Sequence, residues 1–203
     1  MSGLSERKKE SRKKKIFDAA LKLFEVQGYD KTTMAEIAVN ADMAVGTLYN
    51  YYASKQVLLF SIIEAGAGQY MDRLDTAACS GADLKASVFE FFMIYLDSFS
   101  TYGKRVWREL FGAVMFKKTE LLESIDSIDK PFLSKLRDLL THLRDRQMLW
   151  ENTDVETVVS GLYAILAYNI MRYVSDDGIS EEDLKTALLS QAGLIVDAVK
   201  KQN

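Results

Sequence analysis

Cysteine occurs once in the 203 residues, at Cys79, so the chain alone can form neither an internal disulfide nor a cysteine-based zinc site. Histidine also occurs once, at His142, which excludes a multi-histidine metal centre and argues against a Ser-His-Asp hydrolase. Proline occurs once, where average usage of about 5% would give roughly ten. So little proline, with eleven glycines spread over long periodic stretches, favours helices over sandwiches or barrels. The uncharged stretch Thr157–Met171 is fifteen residues long, short of the ~20 apolar residues that span a bilayer, and reads as a buried helix. The start, MSGLSERKKE, has no apolar segment of signal-peptide type, so a cytoplasmic protein without a membrane partner is expected. No paired-carboxylate, Cys/His or Gly-rich phosphate constellation stands out, so neither an enzyme nor a bound metal or cofactor is expected. His142 reads as a surface or rim residue.

What is present is a globular composition, 48% hydrophobic and 27% charged, with material for a sizeable core. The net charge of −3 looks unsuited to nucleic acid, but it hides a partition. Residues 1–60 hold ten Lys/Arg and seven Asp/Glu (+3), whereas residues 61–203 hold sixteen and twenty-two (−6). A basic head on an acidic body suggests nucleic-acid contact through one end.

Helix punctuation is dense. Ile16, Ala19, Ala20, Leu23 and Phe24 recur at helix spacing, and Gly28 stands where a left-handed residue would stop that helix. Thr33-Met-Ala-Glu36 is a capping box opening a helix of about two turns. A second short helix covers roughly Val45–Tyr51, and Ser54 can cap a long one to about Ala78. Five more helices follow: about Asp83 to Thr101, Lys104 to Phe116, Asp129 to Arg146 with Pro131 in its first turn, one after a Thr153-x-x-Glu156 box to about Ser175, and one from Ser180 to about Lys200. No segment alternates as strands do, so the fold class is all-α.

Two short helices joined by Asp42-Met43-Ala44 form a helix-turn-helix pattern, whose second helix enters the major groove of double-stranded DNA. Its outward residues are Val45, Gly46, Thr47 and Asn50, with Leu48 turned into the core. Tyr49 and Tyr52 bring phenol hydroxyls suited to phosphates. Lys55, in the first turn of the next helix, breaks the usual preference against a cation there, which marks it as a functional candidate. The basic stretch Arg7–Lys15 reads as a flexible arm before a helix that begins near Arg12; whether the arm touches DNA stays open.

The run from Ile16 to Leu58, with Gly28, Tyr29, Thr32, Thr33, Ile37, Ala38, Gly46, Thr47, Leu48, Tyr49, Tyr52 and Lys55 in place, resembles the DNA-binding domain of the tetracycline-repressor (TetR) family of bacterial transcription regulators. The resemblance implies phosphate contacts from Thr33, Tyr49 and Lys55, and base contacts from Val45, Gly46, Thr47 and Asn50. Two positions depart from the family pattern: Asp42 stands where glycine is common, and Ala44 where a serine cap is common. Asp42 is expected to take over the cap. The domains expected are a three-helix helix-turn-helix head at residues 9–60, joined by a long helix to a helical body at 61–203 that binds ligand and dimerises.

In the body, the segment Val155–Val174 and the last helix are apolar on more than one face, so each needs a second burying surface. A second copy of the chain is the natural one, and the resemblance implies a four-helix dimer interface here, with Val158, Gly161, Ile165, Tyr168, Leu184, Leu188, Gln191 and Ile195 as candidates. Phe92, Leu96, Trp107, Phe111, Met115 and Tyr163 suit a plain core; the resemblance raises the alternative, a pocket for an apolar or amphipathic small-molecule effector. The expected protein is a homodimeric repressor released from a palindromic operator by that effector. An activator or architectural DNA-binding protein, and an apolar-ligand carrier or enzyme, are its rivals.

Overall fold

A computed structural model of the chain describes residues 2–80, 83–100, 102–116 and 120–201. Among these the regular structure is helical: α1 Ser2–Gln27, α2 Met34–Asn40, α3 Val45–Tyr51, α4 Lys55–Ser80, α5 Leu84–Ser100, α6 Lys104–Phe116, α7 Glu120–Asp145, α8 Val155–Ser175 and α9 Glu181–Val199. No strand is formed among the described residues; one antiparallel bridge pairs Leu149 with Lys200. No described helix is long and apolar enough to cross a membrane.

The chain divides into two compact units, Met1–Ala65 with Tyr102–Lys117, and Gly66–Thr101 with Lys118–Asn203. This differs from the expected 9–60 and 61–203 division in one respect that matters. Helix α6 belongs with the head, because it packs on α1. Arg105 of α6 donates to the Glu25 carbonyl, and its guanidinium lies where a side chain on Gly28 would stand, 3.1 Å from an ideal Cβ. Gly28 itself has φ +88, a conformation that glycine adopts without strain, and its amide closes α1 on Phe24. Glycine is therefore demanded by the backbone, and a side chain here would also displace the Arg105 guanidinium.

The core of the first unit is a cluster of fully buried side chains: Ile16, Ala20 and Phe24 of α1, Ile37 and Ala38 of α2, Leu48 of α3, and Leu58, Leu59 and Ile62 of α4. Each large member contributes about 1.5–3 kcal/mol by leaving water. In the second unit, Phe132 of α7 is an aromatic hub, with ring centres 5.1 Å from Phe91, 4.6 Å from Tyr95 and 6.3 Å from Tyr163. Leu162 and Leu166 of α8 and Leu188, Ala192 and Val196 of α9 complete its buried side. At Gly161 an added Cβ would meet Ile195 at 3.1 Å, so the missing side chain lets α8 and α9 approach closely.

Three boundaries differ from expectation. Helix α1 starts at Ser2, not near Arg12, so the basic arm is helical. Lys, Arg and Glu are good helix formers, and the pairs Lys13–Glu10 (3.1 Å) and Lys14–Asp18 (2.8 Å) add support along the helix. Helix α7 starts at Glu120, which puts Pro131 inside the helix rather than in its first turn. At α8 the cap is Asp154, not Thr153: its carboxylate accepts from the Glu156 and Thr157 amides. Glu156 is drawn instead into a two-point ion pair with Arg137. The other punctuation holds: Ser54 accepts from the Val57 amide, Asp83 from those of Lys85 and Ala86, and Ser180 and Asp183 form a capping box.

Candidate nucleic-acid interface

Helices α2 and α3 are short, and their ends are defined by side chains and turns rather than by length. Thr33 caps α2 as a full capping box: its hydroxyl oxygen accepts from the Glu36 amide at 3.2 Å, and the Glu36 carboxylate accepts from the Thr33 amide at 2.7 Å. The Thr33 hydroxyl also donates to Glu36 at 2.8 Å, so that hydrogen is engaged within the chain. These bonds hold the Glu36 carboxyl below its usual range, the Thr33 amide foremost.

The turn to α3 follows from how α2 ends. The Met43 amide reaches back to Ala38 O (3.0 Å) and the Asp42 amide to Val39 O (3.1 Å), the paired bonds of a Schellman motif. That motif needs a left-handed residue after the cap, and Asp42 supplies it with φ 56. Asp42 is therefore not the cap of the recognition helix. Ala44 occupies the cap position of α3 without a side-chain hydrogen bond. The departure at 42 is thus a substitution for glycine in a position glycine prefers; aspartate is one of the few other residues that visit it.

Helix α3 is anchored through Leu48, which is fully buried, and the remaining positions project outward. Val45, Gly46, Tyr49 and Asn50 are exposed, and Thr47 is half-buried. Tyr49 is 50% exposed. No heavy atom lies within 4 Å of a Cβ added to Gly46, so nothing inside the chain requires glycine there. Tyr52, expected to offer its hydroxyl to a phosphate, is instead 6% exposed, with its ring 5.8 Å from Phe17. It follows the last residue of α3 with φ −140, so its ring leaves the helical face and enters the core.

Lys55 also has a defined structural place. Its ammonium donates to the carbonyls of Tyr29, Asp30 (3.3 Å) and Thr32 (2.7 Å), and sits 4.2 Å from the centre of the Tyr29 ring. Its three donors thus gather the loop between α1 and α2. Burial pushes the Lys55 ammonium below its ordinary value, against the opposing pull of Asp30, Glu109 and Glu36. Burial also raises the Tyr29 phenol to about 12, helped by Glu109 and Asp30. The Glu109 carboxyl is pushed up by its own burial and by Asp30, with Lys55 and Arg105 opposing. Sequence patterning missed this cluster, since Arg105 and Glu109 come from a helix it assigned to the body.

Two clefts flank α3 in the first unit. One is walled by Arg7, Lys8, Arg12 and Lys15 on α1, and by Asp42 and Thr47 across it. The other lies between Lys13 and Phe17 of α1, Asn50 and Tyr51 of α3, and Ser61 and Glu64 of α4. Spacing held a signal for the first: 7, 8, 11, 12 and 15 form one stripe of a helix that continues the register of α1.

The residues expected to line an effector pocket do not all fall in one unit. Trp107 and Phe111 lie together in the first, ring centres 6.0 Å apart. Phe92 and Leu96 are buried in the second, and Tyr163 is half-buried there. The side chain of Met115 lies outside the described ones. Of the expected dimer residues, Val158, Leu184 and Leu188 are already buried within the one chain and unavailable to a second copy. Gly161, Ile165, Gln191 and Ile195 are half-buried and Tyr168 is exposed. Outward apolar residues that were not singled out are Met171 (53% exposed) and Leu194 (73%). Gln191 accepts from Asn169 at 2.8 Å, tying α9 to α8 by a part-buried polar bond.

Comparison with known proteins follows this geometry. Residues 16–62, which hold α2, α3 and their packing partners, match the family described as "Bacterial regulatory proteins, tetR family". The chain is 23% identical over 164 residues to the fatty acid metabolism regulator protein of Bacillus subtilis (strain 168), covering 80% of this chain and 83% of that one. It is 38% identical over 80 residues to the HTH-type transcriptional repressor KstR of Mycolicibacterium smegmatis, a match that covers 39% of each chain. The same fold occurs in FadR of Bacillus subtilis, solved in complex with stearoyl-CoA, with TM-score 0.72 and 21% identity over 91% of this chain and 98% of that one. Residues 16–62 thus carry a DNA-binding domain of the tetR-family type, in a chain similar along most of its length to transcriptional regulators of that fold.

Proposed function

We propose that the protein works as a homodimeric repressor that holds a roughly palindromic DNA site and leaves it when an apolar or amphipathic molecule enters its second unit. The observation that carries the DNA reading is the outward display of Val45, Gly46, Thr47, Tyr49 and Asn50 on a helix anchored by buried Leu48. In this reading Val45, Gly46, Thr47 and Asn50 meet base edges, and Tyr49 and Thr33 meet phosphates. Lys55 serves by holding the α1–α2 loop in place, and Tyr52 by packing.

A dimer is supported by the outward apolar stripe of α8 and α9, where Tyr168, Met171 and Leu194 stand in water in the single chain. Two copies present two α3 helices to successive major grooves about 34–36 Å apart. The effector class is supported by the aromatic cluster around Phe132 and by the acyl-CoA complex of the FadR relative. Long-chain acyl thioesters are therefore the first candidates. The effector releases DNA by binding more tightly to a state whose two heads no longer fit successive grooves. A cytoplasmic, non-enzymatic role accords with this reading.

The test is selection from a random duplex library, followed by titration of the selected duplex with stearoyl-CoA. Recovery of an inverted repeat, and its release by micromolar stearoyl-CoA, support the reading. Failure to enrich any sequence removes the regulator proposed here. Enrichment without release removes the acyl-thioester assignment alone.

A further inference from the structure

The cleft between the start of α1 and the α2–α3 turn has a volume of about 570 Å³. Four basic side chains, Arg7, Lys8, Arg12 and Lys15, form one wall, and among the described residues Asp42 is the only acid lining it. Lys13 and Lys14 are paired with Glu10 and Asp18, whereas among the described residues Arg7, Lys8, Arg12 and Lys15 in this cleft, and Lys9 beside the other, have no ion-pair partner. Thr47, half-buried on α3, lines the opposite wall, so the cleft is continuous with the recognition surface.

We infer that this cleft is a cradle for the phosphates of one DNA strand at the edge of the groove that receives α3, and that it adds affinity without reading sequence. The inference rests on the DNA-binding reading of α3 and extends it to a part of the chain outside the helix-turn-helix. Charge complementarity points to a polyanion, and continuity with α3 selects DNA. A helix is about 10–12 Å across with its side chains, too wide for a minor groove about 6 Å wide, so the backbone of this segment stays outside the groove, where its cations face the phosphates of the rim. From Arg7 to Lys15 the helix rises roughly 12 Å, long enough to face more than one phosphate of a strand.

The experiment uses the full chain, the duplex it selects from a random library, and a scrambled duplex of the same composition. Arg7, Lys8, Arg12 and Lys15 are replaced together by Gln, a good helix former; a control carries Lys13→Gln and Lys14→Gln at the paired positions. Log affinity is plotted against log salt for both duplexes. The fourfold variant is expected to lose slope by up to about 7.2 in the dimer, at about 0.9 per phosphate contact and four contacts on each subunit, with an unchanged ratio between selected and scrambled DNA. The control is expected to lose less than about 1. An unchanged slope in a fourfold variant of native helix content overturns the cradle, as does an equal loss in the control. A collapse of the selected-to-scrambled ratio overturns its sequence-independence. If the wild-type chain enriches no duplex, the DNA reading fails and the cradle falls with it, an outcome distinct from the others.

Discussion

The Lys55 ammonium holds Tyr29 twice, by donating to its carbonyl oxygen and by lying 4.2 Å from the centre of its ring. The two contacts fix both the backbone and the side chain of the residue that follows Gly28. A cation in the first turn of α4 is unfavourable for that helix taken alone, and the carbonyls of the α1–α2 loop supply the compensation.

A residue that positions the head differs measurably from one that touches phosphate. Lys55→Ala is expected to weaken binding of the selected duplex several-fold, leaving the slope of log affinity against log salt unchanged. A direct phosphate contact on each subunit would lower that slope by about 1.8 in the dimer. Tyr29→Leu, which keeps the carbonyl but removes the ring, is expected to weaken binding in the same way and by less.

Gly46 separates stability from recognition. Its surroundings leave room for a methyl group, and glycine within a helix costs roughly 0.5–1 kcal/mol relative to alanine. Gly46→Ala is therefore expected to raise the thermal midpoint while lowering affinity for the selected duplex. A variant that is more stable and binds equally well would show that DNA does not approach this point.

Asp42 carries two liabilities at once, a left-handed backbone and a negative charge in the cleft. Asp42→Gly is expected to gain about 1 kcal/mol in stability and to bind DNA more tightly. Asp42→Asn, which keeps a residue tolerant of that backbone, should bind more tightly with little change in stability. Denaturant titration and anisotropy on the same samples check both.

Alkaline pH tests the burial of Tyr29. Its phenol ionises near 10 in the unfolded chain and is pushed up to about 12 in the folded one. Above 10 the unfolded state binds fewer protons, so this contribution to stability is complete below pH 10 and is lost as pH rises towards 12. Burial raises Tyr52 and Tyr102 in the same direction, so the loss is shared. Tyr29→Phe should make the decline in unfolding free energy over that range shallower than in the wild type.

Leu194 is the most exposed residue of the outward stripe on α9, and a charge there need not disturb the single chain. Leu194→Glu is expected to shift sedimentation at micromolar concentration from dimer to monomer with no loss of helix content. Leu188→Glu, a fully buried position, should instead unfold the second unit. A wild-type monomer at that concentration would remove the dimer from the mechanism.

The parts legible from sequence are those where local chemistry decides the structure. The Thr33–Glu36 box, Gly28 at the end of α1 and the Leu48 anchor all depend on neighbours in the chain, and each is found as expected. Tyr52 is not placed by residue type alone: it follows the last residue of α3 with an extended backbone, so its ring turns into the core while that of Tyr49 stays outside. The start of α1 escaped notice because its helix rests on charged residues, and hydrophobic periodicity carries no signal there. In α8 and α9, apolar residues on several faces hide which stripe is inner, so pattern alone does not separate the buried Val158, Leu184 and Leu188 from an outer surface. Placing α6 in the head required a tertiary contact, Arg105 on Gly28, that no spacing within the chain encodes.

That placement makes the DNA-reading unit discontinuous along the chain: Tyr102–Lys117 returns to it after the excursion through Gly66–Thr101. A graft that exchanged only the first sixty-five residues between relatives would import a head without its own α6, and leave Gly28 facing a foreign partner. An exchange that keeps the native packing of this head has to carry Tyr102–Lys117 as well, and completion of the head during synthesis waits until Arg105 has emerged from the ribosome.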